Sequence, residues 1–170
     1  MQKLKIFQVV GFSNSGKTTL MEKLIEKGAT LGYQVGTIKH HGHGGSPTNI
    51  HAKKDSDKHQ EAGAHISSVE GDGHLHIHGW KENWNLAEIL KVYEIFSLDL
   101  VFIEGYKYEL FPKVVLIRHH DDLVLLEKLN NIKAVISWIP LQPSAGYDLY
   151  MVQDSDLFVE VFYSSMFDNI

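Results

Sequence analysis

Residues 11–18 read Gly-Phe-Ser-Asn-Ser-Gly-Lys-Thr, a full G-x-x-x-x-G-K-[ST] pattern. Two glycines let such a main chain curl until successive N–H groups point inward at phosphate oxygens. Lys17 has the length to reach β- and γ-phosphates, and the Thr18 hydroxyl suits Mg²⁺. An apolar run (Ile6, Phe7, Val9, Val10) leads in, and a helix-like segment, residues 19–31, leads out. That context separates a phosphate-binding loop from a chance glycine-rich turn, because the helix start adds free N–H groups and a favourable dipole. The candidate phosphate ligands are Gly11, Ser13, Asn14, Ser15, Gly16, Lys17, Thr18 and Thr19. The expected ligand is a nucleoside triphosphate or something phosphorylated much like one.

A second signal is the apolar run from Asp99 that ends in Glu104-Gly105. In open α/β sheets ligands sit at the carboxyl ends of strands, so Glu104 is expected beside the loop, holding Mg²⁺ directly or through water. A solvated acid at a strand end is the plainer alternative. Lys39 and His40, with His41 and His43 beyond, close another strand on the same rim and suit a phosphate or other anion. Downstream, Asp55 or Ser56 can cap a helix, and Asp55 can equally serve as a second acid for Mg²⁺ or water. His74, His76 and His78 alternate, so on a strand all three share one face, either as a metal-binding set or as a solvent-facing side. His119-His120-Asp121-Asp122 reads as a polar turn. No Ser-His-Asp or Cys-His nucleophile suggests itself. Trp138 follows a strand end on the same rim, where it either packs in the core or stacks on a base.

Positioning these groups requires alternating strands and helices, hence a mostly parallel sheet flanked by helices. Strands are expected at residues 5–10, 34–39, 98–104, 113–118 and 133–138, the last two completing the core. Helices are expected at 19–31, closed by Gly32, and at 54–64, where Gly63 weakens the end. A third helix starts at an Asn85–Glu88 capping box, and a last one, from about Asp154, buries Leu157, Phe158, Val161 and Phe162. Between them, 66–70 and 74–80 form an inserted β-hairpin around Gly71-Asp72-Gly73. No linker or repeat interrupts 1–170, so a single phosphate-loop domain of the NTPase type is expected.

Composition narrows the partners. The chain has 170 residues, 44% of them apolar, with a net charge of −5 and no cysteine. Disulfides and thiolate metal sites are excluded, and no basic footprint for nucleic acid exists. The first residues show no signal-peptide pattern, and no apolar stretch approaches a membrane span, so a cytoplasmic protein is expected. The one arginine, Arg118, lies beyond a later strand. That leaves no obvious arginine finger and no arginine-rich lid of the kind a small-molecule kinase closes over its phosphate.

Taken together, Gly11–Thr19, Gly36-Thr37-Ile38-Lys39-His40, Lys54-Asp55-Ser56, Ala62-Gly63-Ala64 and Ile103-Glu104-Gly105-Tyr106-Lys107 follow one another in a known order and spacing. They resemble the molybdopterin-guanine dinucleotide biosynthesis protein B family over most of the first 120 residues. The resemblance implies a GTP-binding accessory protein with weak, Mg²⁺-dependent GTPase activity and molybdopterin as a further ligand. It also implies a homodimer that works with the guanylyltransferase attaching GMP to molybdenum cofactor. By the same resemblance Lys17, Asp55 and Glu104 carry the catalytic work, and Thr18, Glu104 and Asp55 serve Mg²⁺. Lys39, His40 and Lys107 line the rim. GTP and Mg²⁺ would order residues 39–50 and the Asp55 region as switch segments. No Asn-Lys-x-Asp element is present, and Ser137-Trp138 stands where related proteins often have an acid after serine, so guanine preference follows from the resemblance alone. A small-molecule kinase, a histidine-rich metal-handling GTPase and a binding module without turnover are the competing classes.

Overall fold

The computed structural model describes residues 4–41 and 55–167. In chain order the elements are β1 (Lys5–Gly11), α1 (Lys17–Thr30), β2 (Val35–Lys39), α2 (Asp55–Glu61), β3 (Ile66–Gly71), β4 (His74–Gly79), α3 (Leu86–Tyr93), β5 (Leu100–Glu104), β6 (Lys113–Ile117), α4 (Val124–Lys128), β7 (Ile132–Ser137), β8 (Asp148–Met151) and α5 (Ser155–Phe167). They divide into two compact units, Met1–Gly42 with Tyr93–Ile170, and His43–Val92.

The first unit is a six-stranded sheet in the order β2-β5-β1-β6-β7-β8, every neighbouring pair parallel. Its central strands are apolar at nearly every position, as burial on both faces demands, and β5 and β6 are buried throughout. Successive β6 residues divide between two cores, since strand side chains alternate in direction. Val114 and Leu116 join Leu20, Met21 and Leu24 of α1 and Phe158 and Phe162 of α5. Val115 and Ile117 join Leu125 of α4 and Leu129. The chain leaves β1 for β2 on one side, whereas β6 leads to β7 on the other, so the strand order reverses beside β1. In open parallel sheets that reversal opens a crevice at the carboxyl ends of the strands.

Two expectations change. A sixth strand, β8, extends the sheet beyond β7, pairing Ala134 with Asp148 through Ser137 with Met151. It is a short, half-buried edge strand, and such strands carry little alternation to read. On α5 the buried stripe is Phe158, Val159, Phe162 and Tyr163, while Leu157 and Val161 are exposed. The stripe is fixed by the Phe162 ring packing edge-on against Phe7, 4.7 Å between centroids, and by the Tyr163 hydroxyl donating to the Leu24 carbonyl at 2.6 Å. The His119–Asp122 stretch is the polar turn expected, with one acid taken inside. It enters a 3₁₀ turn whose Asp122 is buried and accepts from the main-chain N–H of Arg118 (2.6 Å) and His119 (3.0 Å).

In the second unit β3 and β4 form the expected hairpin, with Asp72 and Gly73 both at positive φ, as a tight two-residue turn needs. His74, His76 and His78 pair with Gly71, Val69 and Ser67 and are all exposed. The capping box of α3 is present in both directions, Glu88 N–H to Asn85 Oδ1 at 2.9 Å and Asn85 N–H to Glu88 Oε2 at 3.2 Å.

Gly28 sits on the buried side of α1, where an added Cβ would lie 2.5 Å from the Tyr163 hydroxyl and 2.9 Å from Val35 Cγ2. Gly28→Ala is therefore expected to destabilise by about 1–3 kcal/mol through overpacking, against the usual gain from alanine in a helix. Gly71→Ala, which meets open space, is the control, and urea unfolding reads both.

Candidate functional site

The turn from β1 into α1 runs through Asn14 at φ +60 and Gly16 at φ +92, both left-handed. Gly16 is the helix cap and permits that conformation without strain. Gly11 has a different reason to be glycine: a Cβ there would stand 2.5 Å from Ser15 Oγ and 3.0 Å from the Leu116 carbonyl. The loop is thus pressed against β6 as it curls. Ser15 is buried, and its hydroxyl has no partner among the described residues. A buried hydroxyl without a partner, in a glycine-rich loop that leads into a helix, fits an oxyanion.

Lys17 bends back over the loop and donates to the Phe12 carbonyl at 2.6 Å. Burial lowers its pKa; Glu104 opposes that shift, and the charges of Lys107 and Lys39 add to it. Three ammonium groups therefore face one carboxylate, an excess of positive charge that a polyphosphate would relieve.

Glu104 ends β5 and is buried, with Lys39 at the end of the adjoining β2 reaching it at 3.3 Å. Register explains the pair, since Lys39 lies directly opposite Glu104. After Glu104 the chain turns through Gly105 at φ +96 and Tyr106 at φ +48. His40 packs against this turn, its ring 4.3 Å from that of Tyr106. Lys107 extends over the Phe12 ring, 4.3 Å from its centroid, within cation–π range. Thr18 and Thr19 open α1 and are exposed. The residues present fit Mg²⁺ in chemistry, with an alcohol at the helix start and a buried carboxylate on the same rim.

The fold and this rim define a class, a parallel α/β protein with a glycine-rich, lysine-bearing loop between its central strand and first helix. Comparison with known proteins narrows it. The family described as Molybdopterin guanine dinucleotide synthesis protein B, MobB, matches residues 6–138, and the chain belongs to that family. A Bacillus subtilis relative named as a probable molybdopterin-guanine dinucleotide biosynthesis adapter protein is 42% identical over 130 residues, 76% of this chain and 75% of its own. An adapter protein of the same pathway from Escherichia coli is 28% identical over 145 residues, 81% of each chain. Among solved structures, Bacillus subtilis MobB superposes with a TM-score of 0.82 at 35% identity, covering 94% of this chain and 96% of that one. A MobB homolog from Bacillus stearothermophilus gives 0.77 at 38%, with the same coverage.

The loop residues, Lys39, His40, Glu104 and Lys107 thus come together on one rim. Asp55 opens α2 in the second unit and its side chain lies outside the described residues, as do His43, Lys53, Lys54 and the 42–50 stretch. Among the described residues, no three histidine, aspartate or glutamate side chains are grouped to hold a metal ion, and no helix is long and apolar enough to cross a membrane.

Two residues that sequence reasoning passed over stand at the site. Gln8, fully buried in β1, donates through Nε2 to the carbonyls of Gly105 (3.1 Å) and Tyr106 (2.8 Å), holding the turn after Glu104. Its signal was visible, one amide in an otherwise apolar run. Arg118, which the sequence places beyond a later strand, donates to the Asn14 carbonyl at 3.0 Å, because β6 is the neighbour of β1.

Gly105→Ala would force a side chain into the left-handed region, with its Cβ 3.0 Å from that of His40. A loss of about 1–2 kcal/mol in urea unfolding is expected. The Lys39–Glu104 pair should be disturbed with it, and Lys39 and Glu104 amide shifts in NMR report that directly.

Proposed function

We propose that the chain is a GTP-binding adapter in the biosynthesis of molybdopterin guanine dinucleotide. In this reading it hydrolyses GTP slowly and assists the guanylyltransferase that attaches GMP to molybdenum cofactor. The observation that carries the reading is the half-buried Lys17, set with Lys39 and Lys107 around Glu104 at a loop whose buried Ser15 hydroxyl has no partner among the described residues, in a chain of the MobB family. The names of the relatives, adapter proteins of that pathway, supply the cellular context.

In this reading the main-chain amides of residues 14–18 and the Lys17 ammonium hold the β- and γ-phosphates. Mg²⁺, held by Thr18 and Glu104, with Asp55 as a further acid, supplies charge neutralisation at those phosphates. Lys39 keeps the Glu104 carboxylate in place, and Lys107 with His40 closes the anionic rim. Asp55 serves catalysis near the γ-phosphate. Arg118, bonded to the main chain of the loop, is not free to swing as a transferred cation. Hydrolysis should therefore be slow unless a lysine, a second subunit or the partner enzyme supplies the missing charge. A homodimer in the cytoplasm, with molybdopterin as a further ligand, completes the proposal.

Calorimetric titration with GTP tests it. Lys17→Ala should lose most triphosphate affinity, about a hundredfold if one charge-assisted contact of ~3 kcal/mol is removed. Glu104→Ala should retain part of the binding and lose its dependence on Mg²⁺. Unchanged GTP affinity in the Lys17 variant would contradict the assignment, and phosphate transfer from GTP to a small acceptor would replace the adapter reading by a kinase.

A further inference from the structure

Resting on the nucleotide reading above, we propose that Arg118 and Trp138 form the nucleoside half of the site. The indole face and the guanidinium stem would receive the aromatic base beside the β6 and β7 ends of the sheet. The strand reversal lies between β1 and β6, so the crevice is bounded by the glycine-rich loop on one side and Arg118, the first residue after β6, on the other. Trp138 is the first residue after β7.

Both side chains reach back to the loop, and they take consecutive carbonyls. Arg118 Nη1 donates to Asn14 O at 3.0 Å and Trp138 Nε1 to Ser15 O at 3.2 Å. Their main chains are fixed as well, Arg118 N–H to Asp122 Oδ2 at 2.6 Å and Trp138 N–H to Ile117 O at 2.9 Å. With both ends tied, the flat parts remain in the open. The indole is 48% exposed, and its edge lies against the start of α1, 3.8 Å from where a Gly16 Cβ would be.

Charge decides which end of a nucleotide goes where. Lys17, Lys39, Glu104 and Lys107 crowd the β5 side of the loop, which suits the terminal phosphates and their cation. The opposite flank offers a tethered ring and a planar cation, which suit a π-face. Stacking of this kind reads the face of a base and not its edge, so the pair gives affinity for a nucleoside without choosing guanine.

The test is calorimetry in Mg²⁺ with two probes, GTP and inorganic tripolyphosphate, on the full chain, with urea midpoints as the check of folding. Trp138→Ala and Arg118→Ala should each weaken GTP by about tenfold or more and leave tripolyphosphate within about twofold. Trp138→Phe, which keeps a ring and loses the bond to Ser15, should retain most GTP affinity. An equal fall for both probes would show that the two residues only brace the loop and would overturn the proposal. So would unchanged GTP affinity, or a loss of turnover at constant GTP affinity in Arg118→Ala, which would make that residue a transition-state group. Failure of the unaltered chain to bind either probe would instead remove the nucleotide reading itself, and the subsite with it.

Discussion

The conformation of one turn governs the rest of this molecule. Between Gly11 and Lys17 the chain must reverse from a buried parallel strand into a helix. It does so with two left-handed residues, Asn14 and Gly16, and with a glycine at 11 because β6 leaves no room for a Cβ. Sheet order then surrounds the turn. β5 on one side delivers Glu104, β6 on the other delivers Arg118, and β2 brings Lys39 opposite Glu104 by register. Each of these groups is at the rim because its strand ends there, which is why a parallel sheet concentrates polar chemistry at its carboxyl edge.

Electrostatics gives the rim a direction. On the β5 flank three lysines converge around one buried acid; partial burial lowers the Lys17 pKa, Glu104 opposes that shift, and the other two lysines add to it. A trianionic or tetra-anionic tail would balance the excess of positive charge. On the β6 flank Arg118 and Trp138 each donate to a carbonyl of the loop, so their exposed surfaces are a planar cation and a flat ring. A ligand with a charged end and an aromatic end matches the asymmetry of the site.

Much of this was legible in the residues alone. The loop motif, the apolar strand ending in Glu104-Gly105, the Asp-Gly hairpin turn and the Asn85–Glu88 capping box each carry a local physical cause, and each appears in the fold. What escaped depended on tertiary neighbours. The stripe of α5 rotated by one position because Phe162 and Tyr163 found Phe7 and Leu24. The role of Gln8 depends on partners almost a hundred residues away, the carbonyls of Gly105 and Tyr106. The contact of Arg118 with the loop is hidden in the sequence because distance along the chain conceals that β6 adjoins β1. Strand β8 gave too short and too weakly patterned a segment to announce itself.

The most direct test of the central claim is a crystal structure of the chain with Mg²⁺ and a non-hydrolysable GTP analogue. The account predicts the triphosphate wrapped by the amides of residues 14–18, with the Lys17 ammonium on its β- and γ-oxygens and displaced from the Phe12 carbonyl. A triphosphate bound elsewhere, with Lys17 still bonded to Phe12, would contradict it.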